Sequence, residues 1–171
     1  MTSNKKITVL IVLLNFVILI LAGCGGPLKP DGLPALYPVT LVVTQDGKPV
    51  TDMIISLRST DPEVTWAIGC RTDENGHAPI RTHGEFTGVP LGKYKVVLAK
   101  QENEGYEEYV AAKNRYDEKA AEKIDVKFFS CVEEKYNAPE TTPIEIEITP
   151  QSKIIEIDAG PLVRIPQPFM R

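Results

Sequence analysis

The side chains able to do chemistry are few and scattered. His77 and His83 are the only histidines. With Glu85 they make the one combination that hints at a metal, but they lack the paired-ligand spacing of zinc sites and fall in a turn-rich stretch. They read as solvated loop residues, and no metal is expected. Ser56, Ser59, Ser130 and Ser152 have no Gly-x-Ser-x-Gly setting to present a nucleophile. Cys131 as a nucleophile would need a histidine from far along the chain. Glu102, Glu104, Glu107 and Glu108, then Asp117, Glu118 and Glu122, supply carboxylates, but a glycosidase needs two of them facing each other across a cleft. Here they are interleaved with Lys113, Arg115, Lys119 and Lys123, the mixed charge of a solvated helix face. Asp73-Glu74-Asn75 lacks the twelve-residue ligand loop of a calcium site and reads as a turn. Trp66 and Tyr94 could stack on a sugar, with core packing the stronger reading for both. No catalytic set and no cofactor-binding pattern emerges, so the expectation is a protein that is not an enzyme and needs no cofactor.

The charge balance bears on partners. The formal net charge is −4, and no basic cluster stands in the sequence beyond the first six residues. A nucleic-acid binder needs a dense cationic stripe to displace counterions, so nucleic acid is not expected.

Lys5 and Lys6 precede residues 7–21, an apolar run interrupted only by Thr8 and Asn15. That run fits an export signal and is short for a membrane span, which needs about 20 apolar residues. Leu21-Ala22-Gly23-Cys24 follows at once. The arrangement resembles the lipobox of bacterial lipoproteins. The resemblance implies that residues 1–23 are removed and that the Cys24 thiol carries a diacylglyceryl group. The domain would then be held at a membrane, outside the cytoplasm, by its lipid. Each acyl chain contributes about 0.8 kcal/mol per buried CH₂, and stable anchoring takes more than one chain. Gly25 after the cysteine resembles the pattern sent to the outer membrane in diderm bacteria; cell membrane and outer membrane both stay open. In such an oxidising compartment Cys70 and Cys131 are a candidate disulfide. Closing that loop of about 60 residues would stabilise by roughly 4 kcal/mol on the entropy model.

What must position these residues is a β-domain. Hydrophobic residues make up 43% and charged residues 25% of the chain, which fits a globular protein, and 12 glycines with 14 prolines call for many turns. Residues 24–37 read as a Gly- and Pro-rich tether. Then Val39, Leu41 and Val43 alternate with Thr40, Val42 and Thr44, the period of a strand. Gln45-Asp46-Gly47-Lys48 is a turn, followed by strands over 53–59 and 66–72. Asp73-Glu74-Asn75-Gly76 is a second turn, leading to strands over 77–81 and 92–100, the latter placing Tyr94, Val96 and Leu98 on one face. Ile144, Ile146 and Ile148 alternate with Glu145, Glu147 and Thr149, and residues 153–157 are predicted to pair back on that strand as the last one. Residues 101–135 depart from the pattern. High helix propensity over 106–123 predicts a helical or mobile insertion. Residues 159–171, with Pro161, Pro166 and Pro168, are predicted to be a loose tail. The expected fold is an all-β, antiparallel, seven-stranded sandwich over residues 38–158, interrupted before its last two strands.

Three cues stand in order along this domain: Gln45-Asp46-Gly47-Lys48-Pro49-Val50, Arg71-Thr72-Asp73-Glu74-Asn75-Gly76, and Val89-Pro90-Leu91-Gly92-Lys93-Tyr94-Lys95-Val96. They resemble the carboxypeptidase regulatory-like domain, also called transthyretin-like or prealbumin-like. Residues 135–142 are similar to the closing segment of small lipoproteins with this domain. The resemblance spans about residues 38–158 apart from the insertion, and it implies a seven-stranded sandwich without catalytic residues. His77 stands where the family often carries Arg or Lys, and Cys70 lies outside the pattern. The functional expectation is a lipid-anchored cell-envelope module that binds an envelope protein or a glycan. The alternative is a surface carbohydrate-binding module using exposed rings near Trp66, Tyr106 or Tyr109.

Overall fold

The structure, a computed structural model, describes residues 28–168. Cys24, the apolar run and the first four residues of the expected tether, 24–27, lie outside the described residues. Within residues 28–33 the Leu33 amide donates to the Pro30 carbonyl at 3.2 Å. Everything below concerns the unit that begins at Pro34.

The alternation after Val39 builds β1 (Thr40–Gln45), which buries Leu41, Val43 and Gln45. Asp46 and Gly47 both take positive φ, 48° and 72°, and return the chain into β2 (Lys48–Pro49). Two left-handed residues match the strand twist in a two-residue hairpin, which is why Asp-Gly stands there. β3 (Ile54–Ser59) and β4 (Ile68–Arg71) pair antiparallel. At the next turn the Asp73 carboxylate accepts from the Asn75 amide at 2.9 Å and the His77 amide at 2.8 Å. The strand predicted over 77–81 is in fact two: β5 (His77–Pro79) pairs with β1, and β6 (Arg81–Thr82) pairs with β4. Ile80 between them is fully buried and donates its amide to the Val39 carbonyl, so the chain changes sheets through the core. β7 (Phe86–Thr87) follows as a short hairpin partner of β6, and β8 (Gly92–Ala99) is the longest strand.

β11 (Glu145–Ile148) and β12 (Ile154–Asp158) do not form the predicted hairpin. β11 lies antiparallel to β8, while β12 crosses over and runs parallel to β1, with Thr40 opposite Ile154 and Thr44 opposite Asp158. β12 thereby covers the edge of β1 that β2 and β5 leave open, whose amides and carbonyls would otherwise be unpaired. One sheet has the order β12-β1-β2 with β5 also on β1; the other has β11-β8-β3-β4-β6-β7. The fold is thus all-β and mostly antiparallel, with open, sandwich-like sheets. Leu41 and Val43 of the first sheet and Ile55, Leu57, Tyr94, Val96 and Leu98 of the second are at most 1% exposed and share one core. Each such side chain contributes about 1.5–3 kcal/mol on burial, so this cluster dominates stability.

The segment 101–135 is not simply helical. β9 (Gln101–Glu104) and β10 (Lys127–Ser130) pair antiparallel and enclose α1 (Tyr106–Asn114) and α2 (Glu118–Ala121). The one helix expected over 106–123 breaks at Tyr116, whose φ is 58°, and Asp117 restarts it by accepting the Ala120 amide at 3.0 Å. The tail is not loose throughout either. β13 (Ile165–Gln167) adds to β10, with Pro166 opposite Phe129 on the outer edge, where a missing N–H costs no ladder bond. Arg164 fixes the approach: its guanidinium lies 3.7 Å from the centre of the Phe129 ring, 2.5 Å from Glu104 Oε1 and 3.6 Å from Glu102 Oε2. Replacing Arg164 by alanine is expected to speed amide exchange at Phe128 and Ser130 while leaving Val96 and Leu98 protected. Hydrogen exchange read by NMR checks this, and equal protection in both proteins would show that β13 holds without the arginine.

Candidate functional site: one sheet face and the cleft at its end

Strand alternation decides which residues of the six-stranded sheet meet solvent. Ile55, Leu57, Ile68, Tyr94, Val96 and Leu98 point into the core. Their neighbours must therefore point out: Ile54, Ser56 and Arg58 on β3, Gly69 and Arg71 on β4, Arg81 on β6, and Lys93, Lys95, Val97 and Ala99 on β8. The register sets Arg58 opposite Lys95, Ser56 opposite both Val97 and Gly69, Ile54 opposite both Ala99 and Arg71, and Arg81 opposite Gly69. Gly69 is required here, since a Cβ would stand 2.4 Å from the Ile55 carbonyl oxygen. Its bare backbone leaves a shallow depression of about 400 Å³ that includes Ile54, Ser56, Arg58 and Gly69.

The face ends in a larger cleft. A cavity of about 540 Å³ lies between the sheet and the β9–β10 excursion, lined by Asp52, Ile54, Arg71, Lys100, Asn103 and Phe128 among others. Ile54, 45% exposed, borders both depressions. Asp52 and Arg71 pair at 3.5 Å across the mouth. Asp52 takes φ 59°, the left-handed turn conformation that aspartate adopts more readily than most residues, and so brings the chain round into β3. Phe128 meets Tyr106 edge to face, ring centres 5.3 Å apart, and Tyr106 stacks on Tyr109 at 6.4 Å. Tyr106 keeps 39% of its surface exposed. The cleft sits at the end of the sandwich where β1 finishes. That is a six-residue strand, roughly 17–20 Å, away from the end where residues 34–38 lead into β1.

A second cavity at the same end, about 330 Å³, is bordered by Gln45, Asp46, Lys48, Lys100, Glu102 and Leu162. The buried Gln45 amide nitrogen donates to the Cys131 carbonyl at 3.0 Å and the Pro161 carbonyl at 3.4 Å, and the Leu162 amide donates to the Asp46 carboxylate at 3.0 Å. These bonds seat the segment after β12 against this end of the domain.

The residues singled out in the sequence are not brought together. His77 opens β5 beside β1, whereas His83 lies past β6 with its ring edge to face against Trp66 at 5.2 Å. Trp66 is half-buried against the core, so it offers no open platform. Among the described residues no three of His, Cys, Asp and Glu converge as metal ligands would.

The expected Cys70–Cys131 bridge is not formed; both thiols are free. The topology explains why. Cys70 is opposite Ile55, which is opposite Leu98, so Cys70 already stands two strand spacings, about 10 Å, from β8. The Cys131 amide bonds the Lys100 carbonyl beyond the end of β8, on its far side from Cys70. A disulfide requires Cα atoms within about 7 Å.

Burial pushes the Cys70 thiol up to about 12, and burial, aided by the Asp61 carboxylate, pushes the Tyr94 phenol up to about 12. Burial and then the neighbouring Glu102 carboxylate also raise Cys131, which keeps it a protonated thiol and a poor nucleophile. Cys70 and Tyr94 would ionise from their ordinary values of 9.0 and 10.0 once unfolded. Alkali therefore favours the unfolded chain: stability is complete below pH 9 and falls as pH rises towards 12. Urea midpoints measured over that range are expected to fall, and Cys70→Ala is expected to delay the onset of the fall.

No protein-family model matches this chain, and neither do the curated proteins or the solved structures with which it was compared. Sequence reasoning missed the cleft altogether. Its lining comes from four separate stretches, around residues 52–54, 71, 99–103 and 128, none of which carries a motif.

Proposed function

We propose that the chain is a lipid-anchored cell-envelope module that binds without catalysing, and that the outer face of the six-stranded sheet, with the cleft at its end, is its contact surface. The lipid would be carried on Cys24, and the domain would belong to the carboxypeptidase regulatory-like type that its three turn-and-strand cues resemble. The observation that carries the contact surface is the placement of the cleft: it opens at the end of β1 opposite the one where residues 34–38 lead into that strand, beside an exposed Ile54. A tethered module is most useful when its contact surface is at the end that reaches outward. A second reading, a surface carbohydrate-binding module, is favoured by one arrangement: Phe128 backed by Tyr106 beside Asn103, Asp52 and Arg71. An aromatic ring beside planar polar groups suits the alternating apolar and hydroxyl faces of a sugar.

Intact mass of the protein taken from membranes of a lipoprotein-competent host tests the address. A mass that starts at Cys24 and carries acyl chains is expected, and an unmodified full-length mass would overturn the anchor.

A further inference from the structure

The outer face of the six-stranded sheet gathers cations that the sequence keeps apart. Arg58, Arg71, Arg81, Lys93 and Lys95 all point from it, while the only carboxylates its strands contribute are Glu145 and Glu147 on the edge strand β11. This occurs in a chain with 23 acidic and 19 basic residues. Lys95 is held by Glu145 at 3.1 Å and Arg71 by Asp52 at 3.5 Å. Among the described residues the Arg81 guanidinium donates only to the Gly84 carbonyl, and Arg58 and Lys93 form no ion pair. Arg58 moreover stands directly opposite Lys95 across the β3–β8 ladder. Like charges in that position repel and destabilise a sheet. Glu145 offsets part of that repulsion by pairing with Lys95, and Glu147 stands opposite Lys93, so of these three it is, among the described residues, the Arg58 guanidinium that lacks an anion. Such guanidinium forks bind carboxylates and phosphates bidentately. In the register Arg58, Arg71 and Arg81 flank Ser56 and Gly69, whose small size lets a ligand lie close to the strands.

We infer that this face docks a polyanionic glycan, one with a carboxylate or phosphate on its repeating units. The inference rests on the reading of this face as the contact surface and adds the chemistry of what it contacts. The face carries no aromatic anchor and one exposed large hydrophobic residue, Ile54, so it lacks the apolar centre on which protein–protein contacts depend. It also lacks the protruding apolar side chains that would enter a bilayer. Charge neutralisation of a solvated polymer needs neither. Such binding releases counterions, so it weakens steeply as salt rises.

The test uses the full chain in detergent and polygalacturonate as the probe, with dextran as a neutral polymer and poly-L-glutamate as an acidic polypeptide. Polygalacturonate is expected to bind and to lose about tenfold or more in affinity between about 50 and 200 mM salt. The pair R58S and K93S is expected to weaken binding about tenfold. The pair K119S and K123S, exposed cations on and just after α2, is expected to leave it unchanged. Thermal melts of both pairs confirm that the fold is kept. Equal losses from the two pairs, or equally tight binding of poly-L-glutamate, would overturn the inference. Dextran binding that survives R58S and K93S but is lost in F128A would overturn the anionic assignment and leave the contact surface standing. Failure of all three polymers to bind would sink both.

Discussion

Replacing Tyr94 by alanine is expected to remove about 3–5 kcal/mol of stability, the cost of deleting a large aromatic side chain from a closed core. Tyr94 is fully buried on β8, between β3 and the edge strand β11, and it packs in the cluster shared with the first sheet. Its hydroxyl donates to the Pro90 carbonyl at 2.9 Å, which ties the loop before β8 to the strand. Two effects are therefore separable. Tyr94→Phe keeps the packing and leaves a buried carbonyl without its donor, for about 1–3 kcal/mol. Tyr94→Ala loses the packing as well. Urea unfolding with an unchanged slope would measure both. A Tyr94→Ala loss no larger than that of Tyr94→Phe would mean that the ring contributes little and that the shared core is looser than the burial indicates.

The second large effect is expected at Gly76. Its φ is 75°, a conformation costing a residue with a Cβ about 1–2 kcal/mol, and an added Cβ would stand 2.6 Å from the Val43 carbonyl oxygen. That oxygen belongs to backbone in the middle of the first sheet, and the Val43 amide in turn donates to the Gly76 carbonyl at 2.9 Å. Neither partner can step aside without breaking the other's bond. Gly76→Ala is thus expected to cost about 2–5 kcal/mol, conformational strain plus overpacking. Gly47→Ala is the control: it shares the positive φ, 72°, but its Cβ meets nothing within 4 Å, so it should show the conformational part alone. Equal losses at the two glycines would show that the close approach of the Asp73–Gly76 turn to β1 carries no weight.

The two glycines also show what local pattern can and cannot say. Both turns were legible because the chemistry of Asp-Gly and Asp-Glu-Asn-Gly is local: it depends on a positive φ and a side-chain oxygen within a few residues. The facing of Tyr94, Val96 and Leu98 was legible for the same reason, since a period of two determines which residues share a face. β9 was not legible. Gln101, Glu102, Asn103 and Glu104 are all exposed and show no alternation, and what makes them a strand is β10, some two dozen residues on. The sheet change at Ile80 was invisible because one apolar residue between two short strands looks the same whether the chain stays or crosses. The disulfide failed for a related reason. A pair of cysteines in a sequence says nothing about how many strands lie between them.

By itself, the sequence determined the strands with strong alternation, the turns that join them, the all-β class and the expectation of an export signal over residues 1–23, just before Cys24. Each of these rests on interactions between near neighbours in the chain. Only the tertiary structure decided that β12 runs parallel to β1, that the excursion after β8 closes a cleft with Asp52 and Arg71, and that five cations spread from Arg58 to Lys95 stand on one face. Those outcomes depend on strand order and register. Order and register follow from which edges and apolar faces can be covered at once by the whole chain, a condition that no short stretch of residues contains.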